Sequence, residues 1–228
     1  MKVLLINGSP HEHGCTRAAL DEVARTLSEC GVETELINLG AGPFSGCRAC
    51  GGCAKTGRCV INDGVNEAIE ALAAADGLIV GTPVHYASPA GALLAFLDRM
   101  FFAGADRFAH KPAAAFTSAR RAGTTATLDV INKYFTISEM PIVSSTYWNM
   151  VHGARAADAA EDAEGMQTAR NLARNMAWLL RCIEAGRAAG IELSAALARE
   201  LEGVQIPKFA TDEYSCRRVP GVDSSEVR

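Results

Sequence analysis

Short apolar runs alternate with longer amphipathic stretches from residue 3 to residue 188. The apolar runs predict strands at 3–6, 32–38, 77–81, 112–117 and 142–147. Apolar positions at helical spacing predict helices at 16–30, 64–75, 89–102, 124–135 and 164–188. Strands that alternate with helices indicate an α/β fold, in which helices cover both faces of a parallel sheet.

The chain of 228 residues has room for one α/β domain, which we place at residues 1–189, followed by a C-terminal tail at 190–228. The tail is less regular, with one predicted helix at about 192–202 and a polar end. We expect it to pack on the domain or on a partner subunit.

Composition and charge narrow the class of protein. The formal net charge of -4 provides no field that would attract a phosphate backbone, so we expect no nucleic-acid partner. The first apolar run is too short for a signal peptide, and no later run is long enough to span a bilayer. We therefore expect a cytoplasmic protein, in which eight cysteines favour metal or redox chemistry over disulfides.

The loop at 8–16, GSPHEHGCT, joins the first strand to the first helix. Backbone N–H groups converge at such a helix start, and the helix dipole favours negative charge there. Ser9 and Thr16 add hydroxyl donors, so a phosphate monoester would fit. The loop lacks the glycine triplet of dinucleotide sites and the Gly-Lys-Ser/Thr of nucleoside triphosphate sites. A simpler alternative is that Ser9 and Thr16 cap the helix and Gly8 makes the turn.

Two further loops should lie beside this one, because ligands of doubly wound sheets bind beyond the carboxyl ends of the strands. The loop at 82–88, TPVHYAS, offers a flat ligand a proline-stiffened backbone, aromatic rings and a hydroxyl. The next helix is predicted to begin at Pro89. The loop at 117–123, TSARRAG, completes the rim.

The loops at 8–16 and 82–88 resemble those of the NADPH-dependent FMN reductase branch of the flavodoxin-like flavoproteins. That family usually has Gly-Ser-Pro-Arg-x-x-Gly-Asn-Thr in the first loop and Pro-Val-Tyr in the other. The resemblance implies FMN as cofactor and a flavodoxin-like, doubly wound, five-stranded parallel sheet of order 2-1-3-4-5. This chain departs from the pattern at His11, Cys15 and His85, where the family has arginine, asparagine and tyrosine.

The resemblance also implies which residues would contact FMN. Those around the phosphate would be Ser9, His11, Gly14, Cys15 and Thr16. Those along the isoalloxazine ring would be Pro83, Val84, His85, Tyr86 and Ser88. Those on the neighbouring rim would be Ser118, Ala119, Arg120 and Gly123. No side chain is certain to be catalytic, and the candidates for tuning the flavin or supplying a proton are His85, Tyr86 and Arg120.

Four cysteines lie close together in the glycine-rich segment at 46–60. They are Cys47, Cys50, Cys53 and Cys59. Two successive two-residue spacers are typical of ligands to a [4Fe-4S] cluster, whereas a structural zinc usually takes two separated pairs. A zinc knuckle and four free thiols remain the alternatives.

This spacing, together with the FMN loops, resembles the iron-sulfur flavoproteins of anaerobic microbes, and the similarity extends to residues 161–168 and the helix after them. It implies a [4Fe-4S] cluster that passes single electrons to FMN. It also implies a homodimer or homotetramer, in which the cluster and the flavin of different subunits approach each other.

We therefore predict an FMN-dependent oxidoreductase whose partner is a small redox donor or acceptor, such as NAD(P)H, a quinone or ferredoxin. One alternative is a cluster-free NAD(P)H-dependent FMN or quinone reductase, which iron content would reveal. Another is a non-catalytic module that binds zinc through the cysteines and an anion through the first loop, and this module would not be yellow.

Overall fold

The computed structural model describes residues 1–191, in which a parallel sheet lies between two layers of helices. The strands are β1 (Lys2–Asn7), β2 (Glu33–Asn38), β3 (Gly77–His85), β4 (Ser88–Pro89), β5 (Ala113–Ala119) and β6 (Met150–His152). The helices are α1 (Cys15–Glu29), α2 (Cys53–Thr56), α3 (Val65–Ala74), α4 (Gly91–Gly104), α5 (Thr124–Ile137), α6 (Ala156–Glu161) and α7 (Ala163–Ala188), with a 3-10 turn at Ala105–Arg107. The predicted α/β class is confirmed.

The parallel strands lie in the order β2-β1-β3-β5-β6. Because β4 is a two-residue strand that pairs antiparallel with β3, this is the predicted order 2-1-3-4-5 of a flavodoxin-like sheet. The order reverses between β1 and β3, so the carboxyl ends of these two strands mark the switch point.

The core consists of two apolar clusters, one on each face of the sheet. Successive side chains of a strand point to opposite faces, so Leu4 belongs to the cluster under α3, α4 and α5, and Leu5 to the cluster under α1 and α7. Every residue of β5 is buried, which explains why its first four residues, AAAF, are apolar without alternation.

The third strand and the following helix differ from the prediction. β3 continues past residue 81 to His85, and a tight turn at Tyr86 and Ala87 then brings Ser88 and Pro89 back to pair with it. Both turn residues have positive φ, as hairpin turns of this length require. Helix α4 therefore begins at Gly91, and its predicted start at Pro89 is wrong.

The fifth strand is also displaced from its predicted position at 142–147. Within that segment Ile142 forms a single bridge to Ala113, and the chain then leaves the sheet until β6 begins. Helix α7 holds the departing segment: Asn175 Nδ2 donates to the Ser144 carbonyl over 2.8 Å, and Ser145 Oγ donates to the Thr168 carbonyl over 2.7 Å.

The other predicted helices agree with α1, α3, α5 and α7 to within two residues at each end. The short helices α2 and α6 were not predicted, since fewer than two turns give no readable periodicity. The predicted helix at 192–202 and the packing of the tail lie outside the described residues. Between residues 1 and 191, no helix combines the length and apolarity that a membrane span requires.

Candidate functional site

The carboxyl ends of three neighbouring strands bring the three predicted loops to one edge of the sheet. Parallel registers pair Asn7 with Gly81, and Pro83 with Ser118. The first loop is tied to β3 directly, because Gly8 N donates to the Gly81 carbonyl over 2.8 Å. Gly8 also lies so close to α4 that a Cβ atom there would be 2.6 Å from Leu93 Cδ2.

The first loop is organised by its own hydrogen bonds. Ser9 N donates to Asn7 Oδ1 over 3.1 Å, and Ser9 Oγ accepts from His11 N over 3.1 Å. Asn7 is fully buried, and its Nδ2 also donates to Asn38 Oδ1 over 3.0 Å. The sequence analysis missed Asn7, although a polar residue at the end of an apolar strand was a signal that could have identified it.

The start of α1 has no side-chain cap. The N-cap residue is Gly14, and the first turn contains no acidic side chain. The predicted alternative, that Ser9 and Thr16 serve as caps, does not match their bonds, since Ser9 Oγ accepts from His11 N and Thr16 Oγ1 lies 2.8 Å from Ser118 Oγ. The free amides at this helix start therefore suit an anion.

The Thr16–Ser118 pair joins α1 to the end of β5. Both residues are buried, and they are 102 positions apart in the chain. The pair sets two hydroxyls beside the uncapped helix start. The sequence analysis proposed both residues, but only the packing of α1 on the sheet shows that they touch.

The hairpin between β3 and β4 forms the exposed rim of this edge. Tyr86 is fully exposed at its tip and has a φ of 52°, a conformation that non-glycine residues adopt at an energetic cost. Gly123 packs against the hairpin with a φ of 93°, and a Cβ there would lie 2.9 Å from Ala87 Cα and 3.0 Å from Val84 Cγ1. The loops after β3 and β5 are thus in contact.

The other predicted flavin residues lie around the same edge. Ala119 is buried, whereas those partly exposed are Pro83, Val84, Ser88, Gly14 and Cys15, and those exposed are His11, His85 and Arg120. Burial raises the pKa of the Cys15 thiol, opposed by its own backbone amide, so the neutral thiol is favoured at this position. Contact of these residues with a flavin remains a prediction.

His152, the last residue of β6, is a further residue beside this edge, which the sequence pattern did not propose for the site. Its Nε2 lies 3.1 Å from the Arg121 carbonyl, within the loop after β5. Its backbone N donates to Asp162 Oδ2 over 2.7 Å, and Asp162 Oδ1 caps α7 by accepting from Gly165 N over 3.0 Å. The contact between His152 and Arg121 spans 31 positions of sequence, so no local pattern indicates it.

The cysteine loop, residues 46–60, is mostly exposed. Cys47 and Cys50 are exposed, and Cys53 and Cys59 are partly buried. Burial raises the pKa of the Cys53 thiol, and the nearby Cys47 and Cys50 raise it further. However, no three His, Cys, Asp or Glu side chains among residues 1–191 are arranged to hold a metal ion. The donor chemistry fits an iron-sulfur cluster, but the ligating geometry is not formed.

Cys59 is the anchored member of the four. Its backbone N donates to Asn66 Oδ1 over 2.8 Å, and Asn66 Nδ2 donates to its carbonyl over 2.9 Å. Beneath it, Arg99 Nη1 lies 3.7 Å from Cys59 Sγ, and Arg99 Nη2 donates to Asp63 Oδ2 over 2.5 Å. Burial lowers the pKa of Arg99, but the bonds to Asp63 and Cys59 outweigh it and raise the pKa above its ordinary value.

Comparison with known proteins shows the family of the chain. The profile of the NADPH-dependent FMN reductase family matches residues 1–155. An iron-sulfur flavoprotein of Methanocaldococcus jannaschii is 31% identical over 192 residues, covering 81% of this chain and 100% of that protein. An iron-sulfur flavoprotein of Methanosarcina thermophila is 30% identical over 191 residues, covering 82% of this chain and 99% of that protein.

Among solved structures, RosB with a bound formylated riboflavin-5'-phosphate intermediate superposes with a TM-score of 0.66. The superposition covers 90% of this chain and 89% of RosB at 14% identity. At this identity the likeness establishes the fold alone.

Proposed function

The chain belongs to the iron-sulfur flavoproteins of the NADPH-dependent FMN reductase family, and we propose that it passes electrons between a [4Fe-4S] cluster and FMN. Membership of the family makes the protein a flavin-dependent oxidoreductase and supports FMN as its cofactor. The edge of the sheet supports the FMN part of the proposal, and the cysteine spacing supports the cluster part.

The uncapped start of α1 is the observation that carries the FMN assignment. It lies where β1, β3 and β5 end, with the hydroxyls of Ser9, Thr16 and Ser118 around it. A phosphate monoester would take its hydrogen bonds from the α1 amides and from these hydroxyls. The helix start and the paired hydroxyls are already in place in the protein alone.

FMN would supply the redox chemistry, because its ring exchanges electrons singly or in pairs. His85 and Tyr86 would flank the ring from the hairpin. Arg120, on the loop after β5, would bring positive charge toward the reduced anionic ring. The hairpin and this loop touch at Gly123, so the two sides of the ring site are positioned relative to each other.

The cluster would bind through Cys47, Cys50, Cys53 and Cys59. Four thiolates match its ligand requirement, and positive φ values at Gly51 and Gly57 give the loop the tight turns that would draw the sulfurs together. Bound there, the cluster would exchange single electrons with FMN.

The proposed partner is a small redox donor or acceptor, such as NAD(P)H, a quinone or ferredoxin. We also propose a homodimer or homotetramer. Three large exposed aromatic side chains on or before α7 support an oligomer, since extended exposed apolar surface often marks an interface. These are Tyr147, Trp148 and Trp178. Light scattering of the purified protein measures the oligomer directly.

Purification under anaerobic conditions, followed by a visible spectrum with iron and sulfide analysis, tests the main proposal. We expect flavin bands over a broad absorbance that bleaches on reduction, with about four irons per chain. Anaerobic addition of NADPH, NADH or reduced ferredoxin then identifies the donor by the rate of bleaching.

Two results would overturn parts of this proposal. Flavin without iron or sulfide after anaerobic reconstitution leaves a cluster-free reductase. Absence of flavin after incubation with FMN removes the assignment of the first loop as a phosphate site, and zinc in the cysteine loop would then favour a binding module.

A further inference from the structure

An ion pair between the buried Arg99 and the partly buried Asp63 lies directly under the cysteine loop. Arg99, on α4, is 2% exposed, and its guanidinium spans from Asp63 on one side to the sulfur of Cys59 on the other. Cys59 is itself held by the two bonds from Asn66. A fixed positive charge therefore lies beside Cys59, one of the four proposed cluster ligands. The backbone of Cys59 is itself fixed by Asn66.

The pair is poorly explained as a device for stability. Arg99 Nε and Asp63 Oδ1 are both buried, and neither has a hydrogen-bond partner among residues 1–191. An unpaired buried polar atom costs free energy, and a buried ion pair is often no more stabilising than apolar residues of similar volume. Buried groups left incompletely paired instead point to a functional demand on the guanidinium.

We propose that Arg99 is a positioning residue of the cluster site, which fixes the Cys59 thiolate and raises the reduction potential of the cluster bound there. This inference rests on the proposed function. Hydrogen bonds to ligand sulfurs and nearby charge are among the factors that set cluster potentials. Asp63 holds the guanidinium in place, so we expect the hydrogen bond from Arg99 to Cys59 to be kept in both the oxidised and the reduced cluster.

The effect has a definite sign. Reduction by a one-electron donor adds one negative charge to the cluster and its thiolates, and no proton moves, because Arg99 stays protonated throughout. A cation beside Cys59 stabilises this added charge more than it stabilises the oxidised form. Loss of the cation therefore makes the cluster harder to reduce.

The test is a redox titration of the cluster-loaded protein, monitored by EPR for the cluster and by absorbance for the flavin. In Arg99→Gln we expect the ratio of reduced to oxidised cluster at a fixed potential to fall about tenfold, which is a shift of about 59 mV for one electron. Arg99→Lys keeps the charge without the fork that reaches both Asp63 and Cys59, and it should shift the ratio less.

Arg48→Gln is the matched control, because it removes an exposed arginine from the same loop. It should change the ratio less than twofold, since solvent screens an exposed charge. Because Arg99→Gln leaves Asp63 unpaired and can fail to fold, the double variant Asp63→Asn, Arg99→Met is titrated in parallel. It should shift the ratio in the same direction but less, because the opposing negative charge of Asp63 is removed together with the cation.

Two outcomes overturn the inference, and they differ in what else they affect. In the first, the iron-loaded Arg99→Gln and double variants have the same cluster reduction potential as Arg48→Gln. Arg99 is then only structural, and the proposed function stays intact. Wild-type protein that takes up no iron removes both the cluster and the role of Arg99.

Discussion

The two candidate cofactor regions of this protein are built in opposite ways. The proposed phosphate site, which we call the phosphate edge, is formed by the ends of β1, β3 and β5 and the start of α1. Its hydroxyls at Thr16 and Ser118 are buried and paired. The cysteine loop carries two exposed thiols, Cys47 and Cys50, and of its four cysteines Cys59 is the one that bonds to buried side chains.

The difference follows from what each ligand demands. An anion site can be made from backbone amides that the fold already fixes, so it exists before the anion arrives. A metal site requires thiolates that repel one another, and metal binding itself commonly completes such sites. We therefore expect the anion site at the start of α1 to be in place whenever the protein is folded. We expect the cysteine loop to take its ligating geometry only when the cluster binds.

The largest effect should come from removing the exposed thiols. The double variant Cys47→Ala, Cys50→Ala should lose essentially all its iron and sulfide, because two of four cluster ligands are gone. Its thermal midpoint and its FMN affinity should match those of the metal-free wild type, since both side chains are exposed and neither is part of the core. Cys182→Ala, which removes an exposed thiol from α7, should retain full iron. Iron retained by the double variant would contradict the ligand assignment.

The next effect concerns the phosphate edge. Thr16→Val removes a buried hydroxyl and leaves Ser118 without its partner. We expect the Kd for FMN to rise about 10- to 100-fold, which corresponds to the ~1.5–3 kcal/mol of a hydrogen bond to a charged group. Titration of the apoprotein followed by flavin fluorescence measures it. Thr56→Val, in the exposed cysteine loop, is the control and should leave the Kd unchanged.

A smaller effect on stability should separate packing from backbone strain. Gly123 and Gly64 both precede a helix with nearly the same φ, 93° and 94°, but only Gly123 has neighbours within 4 Å. Gly64→Ala should therefore cost about 1 kcal/mol from strain alone, and Gly123→Ala about 2–3 kcal/mol because its Cβ collides with the hairpin. Urea unfolding measures both. Equal losses of unfolding free energy in the two variants would show that the hairpin moves aside without cost.

The smallest effect is a difference in thiol reactivity in metal-free protein. Burial raises the pKa of Cys15 and of Cys53, so less thiolate is present at each below that pKa. At pH 8 we expect iodoacetamide to modify the exposed Cys47 and Cys50 first, as followed by peptide mass spectrometry. The difference should shrink as the pH rises and the buried thiols ionise. Cys15 reacting first would contradict this order.

The sequence alone predicted the features that reside in short windows. Alternating apolar runs and helical periodicity gave the α/β class, and loop motifs gave the strand order through a family resemblance. The anion loop and the cysteine spacing were readable for the same reason, because the residues of each motif are neighbours in the chain. Periodicity misplaced the fifth strand, since it cannot show that Ser144 and Ser145 bond to α7 instead of the sheet.

Only the tertiary structure decided which distant residues meet. The packing of α1 on β3 and β5 brings Thr16 to Ser118 across 102 positions, and the packing of α4 under the cysteine loop brings Arg99 to Cys59 across 40. Such contacts depend on how elements pack and on where strands end. Those features arise from the whole core, so no local spacing of residues encodes them.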